Sequence, residues 1–151
     1  MKVMKISKNF SLNEFENSIK AGELGIDNTI TDQNVIDNIK NLVEFILQPL
    51  RNEIDKPIII SSGYRCDALN EAVGGAKSSQ HRLGLACDIK CDEFDSYKMA
   101  RLIYELELPY DQLILYPTFV HVSYSTNPRK QILYNKSYDG NKIECNQMNG
   151  M

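Results

Sequence analysis

Apolar residues recur every three or four positions in two parts of the chain. The first set is Val35, Ile36, Ile39, Leu42, Val43, Ile46 and Leu50, and the second is Met99, Leu102, Ile103 and Leu106. This period places each set on one face of a helix. The first predicted helix is capped by Thr31 or Asp32 and stops near Pro49. The second is capped by Ser96 and ended by Pro109.

Shorter apolar and β-branched runs predict strands. The first is IIIS after Pro57, which we predict to be buried, and the others are LACDIKC, DQLILY, TFVHVSY and KQILY. The DQLILY and TFVHVSY strands are joined around Pro117. Because these strands mostly follow one another, we predict an α+β fold with helices packed on a mainly antiparallel sheet that ends in a meander.

The remaining segments carry local signals. Ser11 precedes Glu14 by three residues, a capping-box spacing that predicts a short helix start. DALNEA is typical of one or two helical turns, whereas AGELGIDNTIT and the glycine- and serine-rich VGGAKSSQHRLG are predicted loops. The Asp139–Gly140 pair predicts a hairpin turn.

Length and charge narrow the class of protein. With 151 residues, the chain is expected to form one domain over residues 1–151, with frayed ends at 1–9 and 145–151, and to be a monomer. Its net charge of −3 argues against nucleic-acid binding. No apolar run reaches the roughly 18 to 20 residues of a membrane span, and no apolar signal-peptide core is present. We therefore expect a protein that is cytoplasmic in the cell that makes it.

Four cysteines are expected to remain reduced without export. Cys87 and Cys91, four residues apart, offer half of a zinc knuckle, but no second close pair exists, so buried thiols are the favoured interpretation. A thiol enzyme that pairs Cys87 or Cys66 with His81 is a remote alternative.

Only two histidines occur in the chain, His81 and His121. His81 lies in the glycine-rich loop, Asp88 follows seven residues later, and His121 alternates with two valines in TFVHVSY. Two histidines and a carboxylate are a usual ligand set for an open catalytic zinc site. The alternative is a hydrogen-bonded strand histidine and an aspartate in a turn or salt bridge.

The segment SQHRLGLACD, residues 79–88, resembles the S-x-H-x-x-G-x-A-x-D motif of the peptidase M15 family, which contains zinc D-alanyl-D-alanine carboxypeptidases and phage endolysins. SGYR with the following LN and VGG, and FVHVSY downstream, are similar to its small single-domain branch. The resemblance covers about residues 10–134. It implies a Hedgehog/DD-peptidase-like fold, a Zn²⁺ cofactor and peptidoglycan stem peptides as substrate. The absence of a signal-peptide core would also suit a phage-encoded protein acting on the cell wall or in the virion.

Residue roles follow from the same resemblance. His81, Asp88 and His121 match the zinc ligands, and Arg65 matches the arginine that stabilises the oxyanion. Ser79 would line the substrate cleft or support the turn. For Arg65 the alternative is a surface salt bridge with Asp67 or Glu71.

The chain departs from the family at the general base. The family places a glutamate near the third ligand, and the matching positions here hold Tyr116 or Thr118. Loss of a general base typically costs about 10²–10⁴-fold in rate. Three readings stay open. Tyr116 acts in the site, Asp111 or Glu107 reaches it, or the protein is a weakly active or inactive module that binds cell-wall peptide or a partner protein.

Overall fold

The computed structural model describes residues 4–144, which form helices and a five-stranded sheet in the order β1-β2-β4-β3-β5. This confirms the predicted α+β class. The strands are β1 (Ile59–Ser62), β2 (Ala86–Lys90), β3 (Tyr110–Leu115), β4 (Val120–Tyr124) and β5 (Gln131–Tyr134). The helices are α1 (Asn13–Glu16), α2 (Ile19–Leu24), α3 (Gln33–Leu42), α4 (Gln48–Ile54), α5 (Asp67–Ala72) and α6 (Ser96–Glu105).

The first long helical segment continues past its predicted stop. A π-helical turn, Val43–Leu47, joins α3 directly to α4, which ends at Ile54 rather than near Pro49. A proline ring normally collides with the carbonyl four residues earlier. The wider π turn precedes Pro49, which lies in the first turn of α4, so the helical path continues through it. The apolar face is buried as predicted, with Ile39, Leu42 and Ile46 at 0 % exposure.

Helix α2 includes the first four residues of the predicted loop at residues 21–31. The Ser18 side chain accepts a hydrogen bond from the Ala21 N–H at its start, and Gly25 ends it in the left-handed conformation at φ 67°. Ser at the start and Gly at the end are ordinary helix boundary signals. The helix was not predicted because its six residues are too few to show a periodic apolar pattern. The predicted start near Ser11 is confirmed, since its N–H donates to the Glu14 carboxylate at 2.7 Å.

The sheet is antiparallel except at one edge. Strand β5 pairs with β3 in parallel, so the expected closing meander is wrong at its last step. The hairpin predicted at Asp139–Gly140 is also wrong within the described residues, because no strand follows it up to residue 144. Strand β1 is an edge strand rather than a buried one, with Ile59 44 % exposed.

Helix α6 packs on β3 and β4 and is capped by Asp95, not by the predicted Ser96. The Asp95 carboxylate accepts from the Lys98 N–H at 2.8 Å, while the Ser96 hydroxyl donates to the Phe119 carbonyl at 3.1 Å. The Ser96 side chain therefore connects α6 by a hydrogen bond to the residue that precedes β4.

The start of the chain, predicted to fray, is hydrogen-bonded from Met4 onwards: the Leu12 N–H donates to the Met4 carbonyl at 2.8 Å. Residues 1–3 and the predicted frayed end at 145–151 lie outside the described residues. Across residues 4–144, no helix combines the length and apolar character that a membrane span requires.

Candidate metal centre

The register of β2 and β4 brings Asp88 and His121 together, since they are directly opposite one another. Val120 and Val122 are fully buried in the core, so His121 projects from the other face of the sheet, as predicted. Its Nδ1 lies 3.0 Å from Oδ1 of Asp88.

His81 reaches the same point from a short 3₁₀ turn, Gln80–Leu83. The Ser79 hydroxyl accepts a hydrogen bond from the His81 N–H at 3.2 Å and caps this turn. Gly84 ends the turn at φ 75°, and a Cβ there would lie 2.8 Å from the Val35 carbonyl oxygen. The glycine therefore lets the turn bend in a left-handed conformation and pack against α3.

The tautomer of His81 is fixed by a backbone carbonyl. Its Nδ1 lies 2.7 Å from the Gly63 oxygen, and a carbonyl only accepts, so Nδ1 carries the proton. The Nε2 lone pair then faces Asp88, with 3.4 Å between Nε2 and Oδ1. His81 is 2 % exposed, so this geometry is held by packing.

Gly63 is itself held closely. A Cβ at Gly63 would lie 2.8 Å from the Phe15 Cα, and the Tyr64 N–H donates to the Phe15 carbonyl at 2.8 Å. Helix α1 therefore supports the carbonyl that orients His81.

One potential ligand atom each from His81, Asp88 and His121 lies within 4.8 Å of the other two. Tetrahedral zinc with bonds of about 2.1 Å places its ligand atoms about 3.4 Å apart, so the spacing and the donor chemistry both fit. Burial of the Asp88 carboxyl raises its pKa, but the interactions with His121 and, after it, His81 outweigh burial and lower the pKa to about 2. The carboxylate is thus available as an anionic ligand.

Arg65 is bound by Asn70, not by the acidic residues considered from sequence. Its Nη1 donates to the Asn70 Oδ1 at 3.0 Å, while Asp67 pairs with Arg82 at 2.8 Å. Burial lowers the Arg65 pKa, whereas the negative charge of Asp88 acts in the opposite direction. Nε of Arg65 is buried without a hydrogen-bond acceptor among the described residues. The guanidinium therefore retains a donor for which the described protein supplies no acceptor.

Asn70 and Gly75 were not singled out as site residues from the sequence. Asn70 is 4 % exposed, and its Nδ2 donates to the Ala76 carbonyl at 2.9 Å. A Cβ on Gly75 would lie 2.1 Å from the Asn70 Oδ1 and 2.6 Å from the Arg65 Nη1. The LN and VGG segments of the sequence thus form a cradle around the arginine.

A second buried asparagine organises the approach to Arg65. The Nδ2 of Asn28 donates to the Tyr64 carbonyl at 2.9 Å, and its Oδ1 accepts from the Cys66 N–H at 2.8 Å. Asn28 lies in a predicted loop, and no local pattern indicates this role, because Tyr64 and Cys66 are more than 30 residues away along the chain.

Tyr116 follows β3 directly and stacks on Phe119, with ring centroids 4.3 Å apart. Burial and the negative charge of Asp88 raise the Tyr116 pKa, and the positive charge of Arg65 partly offsets this. The phenol is therefore protonated at neutral pH and able to donate a hydrogen bond. The Tyr116 hydroxyl is therefore within electrostatic range of Asp88 and Arg65.

A family model described as Peptidase M15 matches residues 8–123, which contain Arg65 and the whole His81, Asp88 and His121 cluster. The chain belongs to the peptidase M15 family. M15 peptidases are metal-dependent, and the cluster is compatible with that chemistry. No curated protein shows detectable sequence similarity to the chain.

The M15 general base has no carboxylate in its place here. Thr118 is exposed, and Asp111 is engaged by Arg129, whose Nη2 donates to it at 2.7 Å. Glu107 is exposed at the end of α6. Within residues 4–144, the candidate metal cluster contains Asp88 as its one carboxylate, and neither Asp111 nor Glu107 is part of it.

The cysteines do not support thiol catalysis. Cys87 is fully buried on the core face of β2, on the opposite face from Asp88, and burial raises its pKa well above the usual value. Cys91 is buried too, and Cys66 lies at the start of α5. All three are free thiols, and Cys145 lies outside the described residues. A low-pKa, accessible thiolate is what a nucleophilic cysteine requires.

Proposed function

We propose that the protein is a zinc-dependent peptidase that hydrolyses peptidoglycan stem peptides near D-amino acids, as a carboxypeptidase or an endopeptidase. The observation that carries this is the convergence of His81, Asp88 and His121, with ligand atoms within 4.8 Å and His81 oriented by Gly63. Membership of the M15 family supports peptide hydrolysis, and the SQHRLGLACD motif supports the peptidoglycan substrate.

Zinc held by these three side chains would polarise the scissile carbonyl and promote attack by water. The chain itself supplies the surrounding charge. Arg65 donates to the carbonyl oxygen as negative charge develops on it, which is the largest stabilising contribution in many such sites. Its unpartnered Nε–H supports this role. Ser79 supports the turn that carries His81 and is proposed to line the cleft.

Tyr116 is proposed as a hydrogen-bond donor to the developing tetrahedral centre. Its phenol is protonated at neutral pH and is electrostatically coupled to both Asp88 and Arg65. A phenol in this state cannot accept the proton of the attacking water, so it does not replace the glutamate of the family. Turnover is therefore expected to be slower than with a carboxylate base.

A second candidate is a module of the same fold that binds cell-wall peptide with little or no hydrolysis. The absence of a second carboxylate from the cluster in the described part of the chain favours it. Both candidates share the same metal and peptide site, and they differ only in turnover.

One experiment separates them. Purified protein is analysed for bound metal and then incubated with purified peptidoglycan, and the soluble products are identified by mass spectrometry. We expect about one zinc per chain and stem peptides shortened at a D-amino acid, with both lost in Asp88→Ala. Bound zinc with unchanged stem peptides would establish the binding module. Absence of metal together with cleavage that survives a chelator would refute the metal centre.

A further inference from the structure

Strand β1 has an unpaired outer edge. It is the first strand of the sheet and, among the described residues, it pairs only with β2. Such an edge exposes backbone N–H and C=O groups that an added strand can pair with. The strand is short and carries no charged side chain, as its residues are Ile59, Ile60, Ser61 and Ser62.

A groove of about 370 Å³ follows this edge and leads to Arg65. Its lining includes Ile19 and Lys20 of α2, Val73 just after α5, and the end of β1. Ile19 is 87 % exposed and Val73 is 44 % exposed. Two such exposed apolar side chains in the lining favour contact with a bound segment over exposure to water.

The charged side chains that line the groove are all positive. Lys20 and Arg65 are its two cationic lining residues, and no aspartate or glutamate is among the described residues that line it. Lys20 is exposed and makes no salt bridge within residues 4–144. The groove is therefore complementary to an extended segment that carries a carboxylate.

We propose that this groove is a substrate subsite that binds the part of a peptide bearing a free carboxylate, with the peptide added as a strand to the outer edge of β1. Lys20 binds the carboxylate, and Ile19 and Val73 contact the neighbouring side chains. The subsite rests on the proposed function, because Arg65, which lines the groove, is the residue proposed to donate to the scissile carbonyl.

The register of the sheet brings the subsite near the metal centre. Ser62 is opposite Asp88 in the register of β1 and β2, so a strand added outside β1 would lie two strand spacings, about 10 Å, from the strand that carries Asp88. An extended peptide of five residues is about 17 Å long, so the bound carboxylate and the scissile bond can belong to one stem peptide.

The test measures binding by NMR, using ¹⁵N-labelled full-length protein with and without zinc. The probe is the pentapeptide L-Ala-γ-D-Glu-L-Lys-D-Ala-D-Ala, compared with versions amidated at D-Glu or at the C-terminus. These two arms distinguish the two carboxylates of the probe. The variants are Lys20→Gln and, as a matched control, Lys40→Gln, an exposed lysine on α3 remote in sequence from the groove.

We expect resonance shifts at Ile19, Ser61 and Val73, and a Kd raised about 2- to 5-fold by Lys20→Gln, the range of one exposed ion pair. For the wild-type protein, one of the two amidated peptides should bind with a Kd raised by the same factor. For Lys20→Gln, amidation of that carboxylate should leave the Kd unchanged. Lys40→Gln should bind like the wild type. Equal Kd values for all peptides and variants, or shifts confined to residues outside the groove, would overturn the subsite.

The same samples separate this proposal from the proposed function. If zinc produces cleavage but the groove resonances do not move, the subsite is wrong and the peptidase stands. If the groove resonances move and Lys20→Gln weakens binding without any cleavage by the zinc-loaded protein, the subsite stands and catalysis is rejected.

Discussion

The Asn70 Oδ1 accepts a hydrogen bond from the Arg65 Nη1 at 3.0 Å, and the same amide donates to the Ala76 carbonyl. The Ala76 carbonyl therefore fixes the orientation of the Asn70 amide, and the amide in turn orients the Arg65 guanidinium. A buried, doubly bonded amide is suited to hold an arginine without neutralising its charge, as a carboxylate would.

We expect Asn70→Ala to lower kcat more than it raises KM, by about tenfold, because Arg65 loses its orientation toward the carbonyl oxygen. The measurement is steady-state hydrolysis of a stem peptide by Asn70→Ala, Arg65→Ala and the double variant. If Asn70 acts through Arg65, its replacement costs little further in the Arg65→Ala background. Additive losses would contradict this, and thermal unfolding of each variant checks that it is folded.

Gly75→Ala should disturb the same arginine by crowding. Its Cβ would be 2.1 Å from the Asn70 Oδ1 and 2.6 Å from the Arg65 Nη1, so these side chains must shift. We expect lower activity and a loss of about 1–3 kcal/mol of stability from overpacking. Gly22→Ala is the control, because no atom lies within 4 Å of its Cβ and alanine favours helix α2. Its stability should stay equal or rise in denaturant titrations.

Tyr116 offers a direct test of the missing base. Tyr116→Phe keeps an aromatic ring to stack on Phe119 and removes the hydroxyl, so we expect a lower kcat with an unchanged melting temperature. Tyr116→Glu returns the carboxylate of the family to this position and should raise turnover. A Tyr116→Glu protein that is folded and binds zinc but is slower than wild type would contradict the assignment of this position.

Metal removal should destabilise the protein. A ligand at 100 times its Kd adds about 2.7 kcal/mol, which for a domain of this size corresponds to about 5–10 °C in Tm. We expect chelation to lower Tm by that amount and added zinc to restore it, as followed by calorimetry. His121→Ala should show no zinc-dependent change, since it removes one of the three proposed ligands.

Acidification should weaken the link between Asp111 and Arg129. Hydrogen bonds from the Arg129 side chain, opposed in part by burial, lower the Asp111 pKa below its usual 3.8. Because the Asp111 pKa is lower in the folded than in the unfolded protein, ionised Asp111 stabilises the fold. This stabilisation is complete when the pH is above the unfolded-state pKa, and it is lost as the pH falls through the folded-state pKa. The stability difference between wild type and Asp111→Asn, measured by denaturant unfolding, should therefore shrink below about pH 4. Asp92→Asn, at an exposed position, is the control.

The sequence predicted the fold class and named the three residues that the structure brings together, because both have local patterns. His121 between two core valines and the SQHRLGLACD motif each fix a position by period or spacing. Whether His81, Asp88 and His121 bind metal stays a prediction. Their convergence depends on the register that sets Asp88 against His121.

The errors arose where distant contacts decide the structure. Pro49 signals a helix end, but a π turn before it lets the helix continue to Ile54. The parallel pairing of β5 with β3 requires a connection whose direction no local pattern records. Asn70 resembles any polar residue of a short helix until Arg65 and Gly75 surround it.

The close approach of Phe15 to Gly63 gives the beginning of the chain a part in orienting His81, a proposed metal ligand. The Gly63 carbonyl accepts a hydrogen bond from Nδ1 of His81 and so fixes the tautomer of that histidine. The backbone of Phe15 occupies the space that the side chain of any larger residue at position 63 would need. A chain shortened to begin after α1 would keep all three proposed ligands and every strand of the sheet. It would lose the support for the Gly63 carbonyl, so His81 would be less firmly oriented, and any zinc held by the three residues would exchange faster.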